Sequence, residues 1–198
     1  MRIIALTGGI ACGKTTVAGM LRDCGAAVVD ADAISRSLTA AGGRALGAVR
    51  QAFGDGVFQP DGTLDRAKLG AVVFTNEEKR RQLNAILHPM IMEEMERAIE
   101  RCREEGAPIV ILDVPLLFEA NMHHMGELVV CASAPEEVQI ARMASRNGWD
   151  RTEAVRRIRS QMSMEEKRSR SDLVVDTDKP LDQLRAEISR LYLSWTQA

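Results

Sequence analysis

Residues Gly8-Gly9-Ile10-Ala11-Cys12-Gly13-Lys14-Thr15 carry the pattern GxxxxGK[ST], whose chemistry is the cradling of a nucleotide's phosphates. Glycine lets the backbone wrap closely, so that its N–H groups point at phosphate oxygens. A helix opening directly behind the loop adds about half a positive charge at the same place. Lys14 is spaced to reach the β- and γ-phosphates of ATP, and the Thr15 hydroxyl to ligate Mg2+. The nucleotide-binding set therefore runs from Gly8 through Thr16. Cys12 reads as a small loop filler rather than a nucleophile, since no histidine base stands near it.

Carboxylates form the second group. Val29-Asp30-Ala31-Asp32 follows an apolar run, which places both acids at a strand's carboxyl end beside the loop. Asp32 is the candidate general base for a hydroxyl acceptor. Asp30 is either a group behind the magnesium or a turn residue. The competing reading makes both acids caps of the next helix, where aspartate is favoured. Asp113, at the end of another apolar run, is the candidate magnesium-directed carboxylate.

Arginines form the third group. Between Arg142 and Arg170 lie eight arginines and Lys167 against four acids, an excess of +5 in a chain whose net charge is -2. Arg142 and Arg146, four apart, share a helix face. A basic flap there would neutralise a transferring phosphoryl group and keep water out. Asn147 and Gly148 could hinge it. For Arg151, Arg156, Arg157 and Arg159 a solvated surface helix is the better reading.

These groups need elements to hold them. Arg2–Thr7, Ala26–Asp30, Ile109–Val114, Leu128–Ala132 and Leu173–Asp176 are short runs rich in Ile, Val and Leu, as expected of strands buried on both faces of a parallel sheet. Helices are expected between them: Lys14–Cys24, ended by Gly25; one opened by Ser133-Ala-Pro-Glu136 with capping-box spacing and running through Arg146; and a closing helix marked by Leu181, Leu184, Ile188, Leu191 and Trp195. The alternation predicts a three-layer α/β fold with a five-stranded parallel sheet. Residues from about 33 to 106 break it, with helices and no central strand. Asn76 is expected to cap a helix ending at Leu87, where His88-Pro89 interrupts, with a second helix from Met90 to Glu105.

Several function classes drop out. The near-balanced charge argues against a nucleic-acid binder. No apolar run approaches the length of a membrane span, and Arg2–Leu6 is too short for a signal peptide, so the chain reads as cytoplasmic. Cys12, Cys24, Cys102 and Cys131 are scattered without a CxxC pair, and the last three read as core residues. A GTPase would need an NKxD-type guanine reader, which Asp176-Thr-Asp-Lys179 does not supply, and DxxG, whereas Val-Pro-Leu follows Asp113. A small kinase acting on a small molecule remains.

The chain resembles the dephospho-coenzyme A kinase family through Leu6–Thr15, Asp30-Ala-Asp32, Leu64-Asp-Arg66, Val73-Phe74, Leu87-His-Pro89 and Asp113-Val-Pro-Leu-Leu-Phe-Glu119. The resemblance implies a P-loop kinase fold and ATP-dependent phosphorylation of the 3′-hydroxyl of dephospho-CoA, with Mg2+ as cofactor. It implies a nucleotide-binding core over residues 1–34 and 107–198. A helical acceptor-binding insertion would span 35–106, with an Arg-rich lid at about 142–170. Lys14, Asp32 and Arg142 become catalytic, and Arg146 a further nucleotide contact. Asp32, His88, Leu116, Phe118 and Glu119 become the acceptor set, and Thr15 with Asp113 the metal set. The small-molecule acceptor would be the main partner, with no nucleic acid or membrane, and the protein a monomer or weak homo-oligomer.

The chain departs from the family in places. Ala11 stands where glycine is usual, and alanine fits only if that residue avoids positive φ. Cys12 and Thr15 replace serines. Val175-Asp-Thr-Asp-Lys179 replaces an Asn-containing turn near the adenine. Another small-molecule or nucleoside monophosphate kinase, or a nucleotide-dependent binding module, are the alternatives.

Overall fold

A computed structural model describes residues 1–197. Five strands, β1 (Arg2–Gly8), β2 (Ala27–Asp30), β3 (Ile109–Asp113), β4 (Leu128–Ser133) and β5 (Leu173–Asp176), form one sheet in the order β2-β3-β1-β4-β5. β1 pairs in parallel with β3, bringing Leu6 opposite Asp113, and with β4, bringing Gly8 opposite Ala132. β4 pairs in parallel with β5. The helices are α1 (Lys14–Asp23), α2 (Ala31–Leu38), α3 (Leu46–Phe53), α4 (Arg66–Thr75), α5 (Glu77–Glu104), α6 (Glu136–Asn147), α7 (Arg151–Arg159), α8 (Met164–Ser169) and α9 (Leu181–Thr196). This is the expected P-loop kinase architecture. No helix among the described residues is long and apolar enough to cross a membrane.

The chain divides into two compact units. One is Met1–Val29 with the chain from Arg101 onward, the other Asp30–Glu100. In the first, Ile4, Leu6, Ile109, Ile111, Val130, Ala132 and Val175 project from one sheet face onto α1 and α9. Those helices answer with Val17, Leu21, Leu184, Ile188 and Trp195. On the alternating positions Ala5, Thr7, Val110, Leu112 and Cys131 are fully buried too. Burial on both faces is why these strands read as unbroken apolar runs. In the second unit, Arg44 reaches Glu93 at 2.8 Å and Glu94 at 3.1 Å, and the Arg50 guanidinium lies 4.1 Å from the Phe58 ring centroid.

The structure corrects three expectations. α5 runs unbroken through Pro89. A proline inside a helix removes a hydrogen bond and costs about 3 kcal/mol, and the helix carries that cost while burying Ile91, Met95 and Ile99 beyond it. Ser133 does not cap α6. It ends β4, its carbonyl accepts the Thr177 N–H at 2.9 Å, and Pro135 takes the cap position. Of the cysteines expected in the core, Cys131 is buried, whereas Cys24 and Cys102 are half-buried near helix ends.

Ala11 meets the condition that alanine should avoid. Its φ is +58°, in the left-handed region. That conformation costs an L-residue with a Cβ about 1–2 kcal/mol, and glycine's extra freedom in the unfolded chain returns about 0.4–1 kcal/mol of the difference. Ala11→Gly is therefore expected to stabilise the protein by about 0.5–1 kcal/mol. A rise in the urea midpoint at constant m-value would show this, and a lower midpoint would contradict it.

Candidate active site

Sheet register builds the loop. β1 delivers Gly8 against β4 so closely that a Cβ there would stand 2.6 Å from the Ala132 carbonyl oxygen. Gly13 caps α1 at φ +78° with no side-chain cap, and no acid lies in the first turn. The opening N–H groups of α1, orphaned by helix geometry, thus meet no competing carboxylate of their own turn. Within the loop the Cys12 N–H donates to the Gly9 carbonyl at 3.1 Å.

Thr177, just past β5, braces the loop from outside. Its buried hydroxyl lies 2.9 Å from the Cys12 carbonyl and 3.3 Å from that of Ser133. Arg142 completes the brace. One guanidinium nitrogen donates to the Ala11 carbonyl at 3.2 Å and the Thr177 hydroxyl at 3.0 Å, and the other to the Thr177 carbonyl at 2.7 Å. The flap reading of Arg142 meets a different setting here: the side chain holds the loop's backbone. Sequence reasoning missed Thr177. Its only signal was a hydroxyl just after an edge strand.

Lys14 donates to the Asp113 carboxylate across the β1–β3 seam. Their side chains are 14% and 9% exposed, so the pair is nearly dry. Thr15 and Thr16 follow at the exposed start of α1. Cys12 is buried, which pushes its thiol pKa up, and burial raises that of Cys131 to about 11. Neither is a thiolate near neutral pH, in keeping with a filler role for Cys12.

Much of the arginine-rich stretch is internally paired. Arg151 pairs with Glu137, and Arg156 and Arg157 with Glu153, whose carboxyl they hold down to about 2. Arg157 also stacks 4.0 Å from the Trp149 ring centroid. Arg146, Arg159 and Arg168 have no carboxylate partner among the described residues. Arg146 is exposed and donates to Asn147 Oδ1 at 3.1 Å.

The expected acceptor residues fall in varied settings. Asp30 caps α2, its Oδ1 accepting the Ala33 N–H at 2.9 Å, so the capping reading holds for it. Asp32 lies in the first turn of α2, exposed, with no hydrogen-bond or ion-pair partner among the described residues. His88 is half-buried within α5, and desolvation lowers its pKa. Leu116 is 44% exposed, whereas Phe118 is buried, with the Arg170 guanidinium 4.5 Å from its ring centroid. Glu119 is occupied by protein. It accepts the Met162 N–H at 3.0 Å and pairs with the fully buried Lys167 at 2.8 Å.

A cleft of about 680 Å³ opens at the carboxyl ends of β4 and β5, lined by Ser133, Pro135, Gln139, Gln161, Met164 and Asp176 among others. Open α/β sheets bind ligands at such ends. Gln139 is 1% exposed; its Nε2 donates to the Ala134 carbonyl at 3.1 Å and its Oε1 has no partner among the described residues. The donors and acceptors suit a magnesium nucleotide. Free helix-end N–H groups and a lysine match phosphate oxygens, and a hydroxyl with a carboxylate matches the few protein oxygens Mg2+ takes in such sites.

A family model described as dephospho-CoA kinase matches residues 2–183. The dephospho-CoA kinase of Bacillus licheniformis is 41% identical over 194 residues, 98% of this chain and 96% of that protein. The one from Symbiobacterium thermophilum is 46% identical over 188 residues, 95% of this chain and 79% of that protein. Among solved structures, TT1252 from Thermus thermophilus has a TM-score of 0.84 at 32% identity, covering 98% of this chain and 97% of its own. With the phosphate loop, its lysine–aspartate pair and the kinase sheet order in place, and with relatives matched over nearly all of its length, this chain belongs to the dephospho-CoA kinase family.

Proposed function

We propose that the protein transfers the γ-phosphoryl group of ATP to the 3′-hydroxyl of dephospho-CoA, giving CoA and ADP. The observation that carries this is the Lys14–Asp113 pair at the base of an uncapped phosphate loop, in a chain of this family. In the transfer, a bond forms between the acceptor oxygen and the γ-phosphorus while the bond to the β-phosphate's bridging oxygen breaks. Asp32 takes the hydroxyl proton. Its exposure and its lack of a partner among the described residues leave the carboxylate available for that role. Lys14 exchanges its contact with Asp113 for the β- and γ-phosphate oxygens.

The Thr15 hydroxyl and the Asp113 carboxylate would hold Mg2+, which supplies neutralisation of the phosphate charge. The loop from Gly8 through Thr16, chiefly through the N–H groups that open α1, would bind the nucleotide together with Arg146, and Arg142 would keep the loop in shape. His88, Leu116 and Phe118 would border the acceptor's space, with Glu119 acting through its contacts to Met162 and Lys167. A cytoplasmic setting suits four unpaired cysteines.

The decisive experiment measures ADP release with MgATP and dephospho-CoA, against AMP, CMP and no acceptor, with the product identified by mass. Dephospho-CoA-dependent release with CoA as product is expected. Turnover only on a nucleoside monophosphate would overturn the acceptor assignment.

A further inference from the structure

Gln161, in the turn between α7 and α8, touches the phosphate loop although 151 residues separate it from Ile10. Its Oε1 accepts the Ile10 N–H at 2.9 Å. An amide fixed through its oxygen has its nitrogen committed to the opposite edge. That Nε2 has no partner among the described residues, although the side chain is half-buried. The bond uses the amide of Ile10 and leaves the N–H groups of α1's first turn untouched.

The turn that carries Gln161 is tightly held. The Met162 N–H donates to Glu119 Oε1 at 3.0 Å. Glu119 is gripped by Lys167, whose ammonium also donates to the Pro115 carbonyl at 2.9 Å. The Thr7 hydroxyl reaches that same carbonyl at 3.1 Å. Pro115 lies two residues past Asp113, the partner of Lys14. Met164 sits on the same loop, its sulfur 3.6 Å from that of Cys12. A fully buried lysine thus ties the Gln161 turn to the strand end that positions Lys14.

We propose that Gln161 is a further catalytic residue, donating a hydrogen bond from Nε2 to the γ-phosphoryl group while the Ile10 N–H fixes its oxygen. Gln161 lines the cleft at the carboxyl ends of β4 and β5 together with Arg159 and Arg168, so its neutral donor stands beside cations that suit a phosphoryl group. The inference rests on the phosphoryl-transfer reading but not on the identity of the acceptor.

Gln161→Glu and Gln161→Ala separate this role from a plain brace of the loop. Glutamate keeps an oxygen for the Ile10 N–H but replaces the donor with negative charge; alanine removes both. Calorimetry with Mg2+ and either ADP or the β,γ-imido analogue of ATP needs no acceptor. A contact to the γ-phosphoryl group predicts a preference for the analogue over ADP that falls about tenfold in Gln161→Ala and further in Gln161→Glu. With whichever acceptor supports turnover, kcat/KM for ATP should fall in the same order, by about 10²-fold or more. If glutamate behaves like the native residue and alanine weakens ADP and analogue alike, Gln161 is only a brace and the proposal fails. It fails equally if neither variant changes the preference.

Discussion

Lys14→Met is expected to lower kcat by about 10³-fold while leaving the fold assembled. Removing one preorganised donor from a transferring group costs about 10²–10³-fold, and here the donor is also the loop's cation. The change has a second consequence, because Asp113, only 9% exposed, loses the Lys14 ammonium. Breaking a buried pair from one side costs about 3–5 kcal/mol, much of it the penalty of the charge left behind. Lys14→Met should therefore melt well below the native protein. Adding Asp113→Asn should recover much of that loss without restoring turnover. Thermal unfolding and steady-state rates on the two variants separate the effects. Turnover within tenfold of native in Lys14→Met would remove the lysine from the chemistry.

Asp32→Asn should behave in the opposite way. The residue is exposed and no described partner depends on it, so unfolding should be nearly unchanged. Loss of a general base costs about 10²–10⁴-fold in turnover. Nucleotide affinity should stay within about twofold, since the side chain is assigned to the acceptor hydroxyl. Near-native turnover in this variant would show that the transfer needs no base there. Asp32 would then be left only as an acid in the first turn of α2, behind the Asp30 cap.

The loop and the sheet could be read from sequence because both are written locally. A glycine-rich turn between an apolar strand and a helix is contiguous, and strands buried on both faces leave unbroken apolar runs. Pro89 misled because its usual effect is local, whereas the helix through it is carried by burial farther along. Ser133 misled because its backbone was already committed to the Thr177 segment. Spacing placed Arg142 and Arg146 on one face but could not show that Arg142 turns back onto the loop, a contact across 131 residues. Lys167 is the clearest case. In Met-Glu-Glu-Lys-Arg it looks like surface, yet it is fully buried. Its burial follows from Glu119 and Pro115, which reach it only through the tertiary fold.

The closing helix bears on how the protein can be shortened. The family match stops at residue 183, two residues after α9 begins. The residues of α9 that seal the core, Leu184, Ile188, Tyr192 and Trp195, all lie beyond that limit. Trimming the chain to its recognisable span would bare the greasy flank of α1 and the sheet behind it. An enzyme cut there would keep every residue assigned to chemistry and lose the lid of its own core, and clumping would be its first symptom.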